Sequence, residues 1–159
     1  LSKRKGFTSF DKSIHSDYYY TLQRIGEYTF NSYKVAWRYI SAKFTPSVIT
    51  LVNDKYLGTK IVIPNEKIIY VGLEDKNEAY YLCGILSSTI IRNIIESYMV
   101  STQIAPSIID NIKIPKYDKN NRLHMTISEI CEKGHKVNNK SKYLTQLDAM
   151  VNKLYLKNS

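Results

Sequence analysis

The rhythm of apolar and polar positions changes along this chain. Residues 33–40, YKVAWRYI, alternate. Tyr33, Val35, Trp37 and Tyr39 point one way and Lys34, Ala36, Arg38 and Ile40 the other, because successive strand side chains face opposite sides. SVITLV at 47–52, IVIP at 61–64 and KIIYVGL at 67–73 add strands by their β-branched and aromatic content. NDKYLGTK, between the first two of these, reads as a loop pivoting on Gly58. From residue 76 the period lengthens to that of a helix. Leu82, Ile85, Leu86, Ile90, Ile94, Ile95 and Tyr98 recur at roughly helical spacing behind the capping pattern Asp75-x-x-Glu78. IIDNIKIP at 108–115 predicts a short strand closed by Pro115. Thr126-x-x-Glu129 opens a second helix that stops near Gly134. In the last helix Leu144, Leu147, Val151 and Leu154 form a seam two heptads long, suited equally to this domain or to another chain.

This order predicts an α+β fold: a small mixed or antiparallel β-sheet packed on one long helix, followed by a C-terminal helical pair. The division it suggests is an N-terminal arm or linker at 1–27, a β-rich core at 28–118 containing the helix 76–100, and a helical segment at 123–159. Residues 79–100 have the length of a membrane span, but Arg92 and Glu96 lie one helical turn apart inside it. They read instead as the main buried helix of a soluble domain, with no membrane partner.

Composition adds a partner class. The net charge of +9 is large for a chain of 159 residues and favours polyanions, nucleic acid before an acidic membrane surface. It is unevenly placed. Residues 1–60 carry ten Lys and Arg against four Asp and Glu, residues 61–115 four against six, and residues 116–159 nine against four. Cys83 and Cys131 make no disulfide framework, which suits a reducing cytoplasmic setting. LSKRKGF lacks the apolar core of a signal peptide. The missing initial methionine suggests a piece of a longer protein.

Constellations for catalysis are absent. No Gly-rich loop follows a strand, and no Ser, His and acid set forms a nucleophile motif. Glu74-Asp75-Lys76 has the acid-x-lysine spacing of metal-dependent nucleases, but the partner Pro-Asp is missing and a polar helix start is the simpler reading. His124, Cys131 and His135 suggest zinc, Cys131 and His135 being one turn apart. Without a fourth ligand they read as a buried thiol and surface histidines, and no metal is expected.

Binding chemistry is better represented. If Val35 and Trp37 fill the core, Lys34 and Arg38 project from the other face, with Lys43, Lys55 and Lys60 in neighbouring loops. Arginine reads guanine bidentately, lysine contacts phosphate or guanine, and Asn or Gln reads adenine. The candidate DNA contacts are therefore Lys34, Arg38, Lys43 and Lys60, then Asn53, Ser101, Thr102 and Gln103. A solvated basic strand face is the competing account of Lys34 and Arg38.

The succession GEYTFNSYKVAWRYI, SVI, EAYYLCGILSSTIIRNIIESYM, APSIIDNIKIPKYD, ISEICEKGHK and LDAMVNKLY resembles a known family. It is similar, from about Gly26 to Tyr155, to the C-terminal target-recognition region of bacterial DNA adenine methyltransferases and of fused restriction–modification enzymes, the TaqI-like specificity domains of type IIG systems. The most specific parts are YYLCGILSS and SIIDNIKIPKYD. Relatives usually carry Leu-Asn-Ser near Leu86-Ser87-Ser88, and their closing helix often ends Leu-Tyr-Gly-Leu, where this chain continues from Tyr155 into Leu156 and Lys157. The resemblance implies a non-catalytic module that holds duplex DNA. An upstream Rossmann-like domain, in the same chain or a partner subunit, would bind S-adenosylmethionine and carry the Asn-Pro-Pro-aromatic motif for the flipped adenine. That motif does not occur here, so no cofactor is expected in this fragment. The alternative is a protein-interaction module, or half of a separate type I-like specificity subunit that docks a methyltransferase through its last helix.

Overall fold

The alternating segment becomes the middle strand of a three-stranded antiparallel sheet. The computed structural model describes residues 26–156. Apart from its last two residues, the expected arm at 1–27 lies outside them. A 3-10 turn, Glu27–Phe30, precedes strands β1 (Tyr33–Arg38), β2 (Ser47–Ile49), β3 (Val52–Asp54), β4 (Gly58–Lys60) and β5 (Ile68–Leu73). Helices follow: α1 (Lys76–Ser87), α2 (Thr89–Ser97), α3 (Pro106–Asp110), α4 (Arg122–His135) and α5 (Ser141–Leu156). The fold is α+β.

β2 and β5 flank β1, with Val35 opposite both Val48 and Val71. Val35 and Trp37 are buried, and the Trp37 ring meets Phe44 edge-on with centroids 5.7 Å apart. Helix α1 packs against β1 on one side and against α4 and α5 on the other. The core therefore runs from the sheet through α1 into the C-terminal helix pair. Gly84 allows the second contact: a Cβ there would lie 2.9 Å from Cγ2 of Ile127 and 3.3 Å from both Cys131 and Leu147. The seam of the last helix closes on this domain, since Leu147, Val151 and Leu154 are all buried in it.

Three expected elements form differently. The long helix 76–100 is two helices divided at Ser88, whose Oγ donates to the Ile85 carbonyl at 2.8 Å. The backbone leaves helical geometry there (ψ 147°), and α2 restarts on a carboxylate from α5. Asp148 accepts from the amide and the hydroxyl of Thr89, each at 2.7 Å. A short polar side chain that bonds its own backbone competes with the helix, and a remote carboxylate satisfies the new amino end. The expected strand at 108–115 is instead the short helix α3 followed by irregular chain, because Pro106 at the first helical position and the packing of Ile108, Ile109 and Ile112 on the core outweigh β propensity. IVIP at 61–64 pairs with nothing and is not a strand.

The start of α1 is as the capping pattern predicts, Asp75 accepting from the Glu78 amide at 2.9 Å. The next long helix begins five residues earlier than a cap at Thr126 suggests. Asn121 caps it through the Leu123 amide, and Thr126 turns back to the Arg122 carbonyl.

Candidate nucleic-acid interface

What reads in sequence as strand 47–52 and a loop after it is, in space, β2 followed by a separate two-stranded hairpin. Thr50 and Leu51 carry the chain off the sheet, and β3 pairs with β4 in the register Val52–Lys60, Asn53–Thr59 and Asp54–Gly58. The turn is set by local chemistry. Oδ1 of Asp54 accepts the amides of Tyr56 and Leu57 at 2.8 Å each, and Gly58 takes φ +70°, which L side chains rarely adopt. Those two amide bonds hold the Asp54 carboxyl below the usual range. Every residue from 50 to 61 is exposed, Tyr56 by 85% and Leu57 by 68%. Lys55 lies over the Tyr56 ring, 5.4 Å from its centroid. Asn53 and Lys60, both expected contacts, stand on this arm, and Lys55 and Tyr56 are its tip.

A second group gathers at the end of β1. Arg38 is exposed there, and the loop holding Ser101, Thr102 and Gln103 lies against the chain just beyond it. Ser41 donates its amide to the Thr102 carbonyl at 2.8 Å, Ile104 donates to the Tyr39 carbonyl at 2.8 Å, and Gln103 bridges to Ile40. The Tyr39 hydroxyl donates to Oε1 of Gln103 at 3.4 Å. Ser101 turns this loop in the left-handed region, φ 60°. All three loop residues are exposed, as is Lys43 in the turn that follows Ser41. Arg38 also lines a concavity of about 470 Å³ with Trp37, Pro46 and Lys140. Lys140 comes from the connector before α5, over a hundred positions from Arg38, and no sequence signal joins them.

Lys34 does not belong to either group. It is 2% exposed, and its Nζ donates to the Asn31 carbonyl at 2.7 Å, 5.9 Å from the Tyr70 ring centroid. Burial lowers its pKa, and the Glu74 carboxylate opposes that shift. The face expected to meet solvent is covered by the chain entering β1. Lys34 pairs with Gly72, where any Cβ would collide with the Tyr28 carbonyl and the Asn31 side chain, so the 26–31 segment crosses the sheet there. The Tyr28 and Tyr70 rings meet at 5.9 Å on the same side. Alternation gives the face a side chain occupies and is silent on what covers that face.

The other sequence candidates resolve as follows. Asp75 is the cap of α1, Lys76 pairs with Glu132 at 2.7 Å, and Glu74 accepts from Asn31, so the acid-x-lysine triplet is a polar helix start. Neither candidate histidine is fully exposed. His124 is buried, its Nδ1 accepting the Asp118 amide at 3.0 Å and its ring 4.6 Å from that of Tyr81. His135 sits beside Cys131 and, from α1, Cys83, with its Nε2 3.9 Å from Cys83 Sγ. The hydrogen bond from Cys131, then His135, draws the Cys83 thiol down, and Cys131 is pushed up.

No family model, curated protein or solved structure matches this chain. No helix among the described residues is long and apolar enough to cross a membrane.

Proposed function

We propose that this domain reads double-stranded DNA as the target-recognition module of a DNA adenine methyltransferase, which in one version is fused to an endonuclease. S-adenosylmethionine and the adenine to be modified belong to a separate catalytic domain, in the cytoplasm. The observation that carries the reading is the hairpin 52–60, a two-stranded ribbon exposed along its whole length that ends in a lysine and a tyrosine. A ribbon of this width enters a B-DNA major groove, about 12 Å across. There Asn53 and Lys60 on the strands face base edges or phosphates, while Arg38, Lys43 and Lys140 hold the backbone beside it.

The test is duplex binding by fluorescence anisotropy across a salt series. Replacing Lys55 and Lys60 together by alanine removes two phosphate partners and lowers the slope of log K against log salt by about 1.8. Arg38→Ala weakens binding independently of that pair. A wild-type chain without salt-dependent binding, or a double variant that keeps both slope and affinity, refutes the proposal.

One observation favours the docking alternative. Ile90, Ile94, Ile112, Val151, Tyr155 and Leu156 line an apolar groove of about 610 Å³ between α2 and α5, suited to a methyltransferase subunit. The result that selects it is a chain that binds no duplex yet forms a complex with a DNA methyltransferase subunit by light scattering, a complex that Ile94→Lys abolishes.

A further inference from the structure

We propose that Cys83, Cys131 and His135 form a Zn²⁺ site at the meeting of α1, α4 and β2, with water from the adjoining cavity as fourth ligand. The three side chains come from two helices 48 positions apart at the cysteines, and one donor atom from each lies within 4.8 Å of the others. Two thiolates and an imidazole are the donor set zinc prefers over harder cations. Tetrahedral bond lengths of about 2.3 Å to sulfur and 2.1 Å to nitrogen place S and N about 3.6 Å apart. Cys83 Sγ and His135 Nε2 are already at 3.9 Å, so closing on the ion moves them by a few tenths of an ångström, while Cys131 Sγ, 3.7 Å from Nδ1, turns toward the Nε2 side to join them.

The imidazole is oriented for this role. Its Nδ1 lies 2.9 Å from the Cys131 carbonyl, which only accepts, so Nδ1 carries the proton and Nε2 presents its lone pair. A ligating histidine that donates its other N–H to a carbonyl is the usual outer support of a zinc centre. Nε2 now accepts the Val48 amide at 3.2 Å, with the Ser47 hydroxyl at 3.3 Å. Zinc takes that lone pair and releases the Val48 amide on β2, the strand that leads into the hairpin.

Charge and access agree. Zn²⁺ with two thiolates and a neutral imidazole has no net charge, so it fits beside Ile127 and Leu147 without a buried ion. Cys83 is 0% and Cys131 6% exposed, yet a cavity of about 220 Å³ reaches Cys131, His135 and Ser87. Arg92 and Lys140 line the same cavity, where positive charge favours thiolates. Core packing alone explains two buried cysteines, but not an imidazole with Nδ1 3.7 Å from Cys131 Sγ and Nε2 3.9 Å from Cys83 Sγ.

The experiment uses the full chain, prepared metal-free under reductant and titrated with Co²⁺ and then Zn²⁺. One equivalent of Co²⁺ is expected to produce thiolate-to-cobalt charge transfer and intense tetrahedral d–d bands, both bleached by Zn²⁺. Cys83→Ser and Cys131→Ser each weaken binding by more than the roughly 10–100-fold that loss of an outer-shell partner causes. A second readout needs no variant: one equivalent of Zn²⁺ protects both thiols from N-ethylmaleimide. The proposal is overturned if Zn²⁺ leaves alkylation unchanged, if no charge-transfer band forms, if the band survives in both serine variants, or if only Cu⁺ binds. The site stands or falls independently of DNA binding.

Discussion

Lys34→Met separates an interior lysine from one that grips DNA. In the structure the Lys34 stem is packed under the 26–31 segment and its ammonium makes one charge-assisted bond, to Asn31. Lys34→Ala deletes three methylenes, about 2.4 kcal/mol at about 0.8 each, and a bond to a charged group contributing roughly 1.5–3 kcal/mol. Released side-chain entropy of about 2 kcal/mol offsets part of this, leaving a net loss of about 2–3 kcal/mol. For a chain of this size that lowers Tm by roughly 5–10 °C. Methionine restores most of the stem and buries no charge, so Lys34→Met should lose only about 1 kcal/mol. Thermal melts followed by circular dichroism measure both, and duplex anisotropy is run on the same samples. Methionine should leave DNA affinity and its salt slope as in the wild type. The reasoning is refuted if Lys34→Met keeps full stability yet loses as much affinity as Lys60→Ala, because Lys34 would then reach solvent and phosphate.

Two further outcomes test the fold. Asp148→Ala should destabilise by about 2 kcal/mol, since it removes both capping bonds to Thr89, and a double-mutant cycle with Thr89→Val should show coupling; additive effects would argue that α2 does not start on Asp148. Burial lowers the His124 pKa, with Asp118 opposing. Its stabilisation is complete above the unfolded value of about 6.5 and is lost as pH falls below it toward the folded value. Denaturant melts at pH 7.5 to 5 should therefore show an acid-side loss in the wild type that His124→Phe reduces; parallel profiles would remove His124 from the account.

How much of this was legible depended on the distance over which each feature is decided. β1 and β5 read correctly because alternation and β-branched content are local, and so did the Asp75 cap. The break at Ser88 was hidden because the carboxylate that restarts the helix lies at Asp148. Lys34 was misplaced because its covering comes from a segment that clears the sheet only over a glycine in another strand. The hairpin was half visible: Gly58 marked a pivot, yet VND and GTK carry too little β signal to be read as a pair. Cys83 could not join His135 in any spacing rule, since packing at Gly84 brings their helices together. Arg38, Lys43, Asn53, Lys60 and Ser101 to Gln103 remained exposed, as a binding role requires.

The isolation of residues 50–61 has a consequence for how such a domain diversifies. No side chain from Val52 to Lys60 belongs to the buried core among the described residues, so replacing the turn is close to neutral for the scaffold. If the hairpin reads DNA as proposed, new specificities can be sampled by grafting randomised ribbons between Leu51 and Ile61, and selection then acts on recognition without first having to rescue folding.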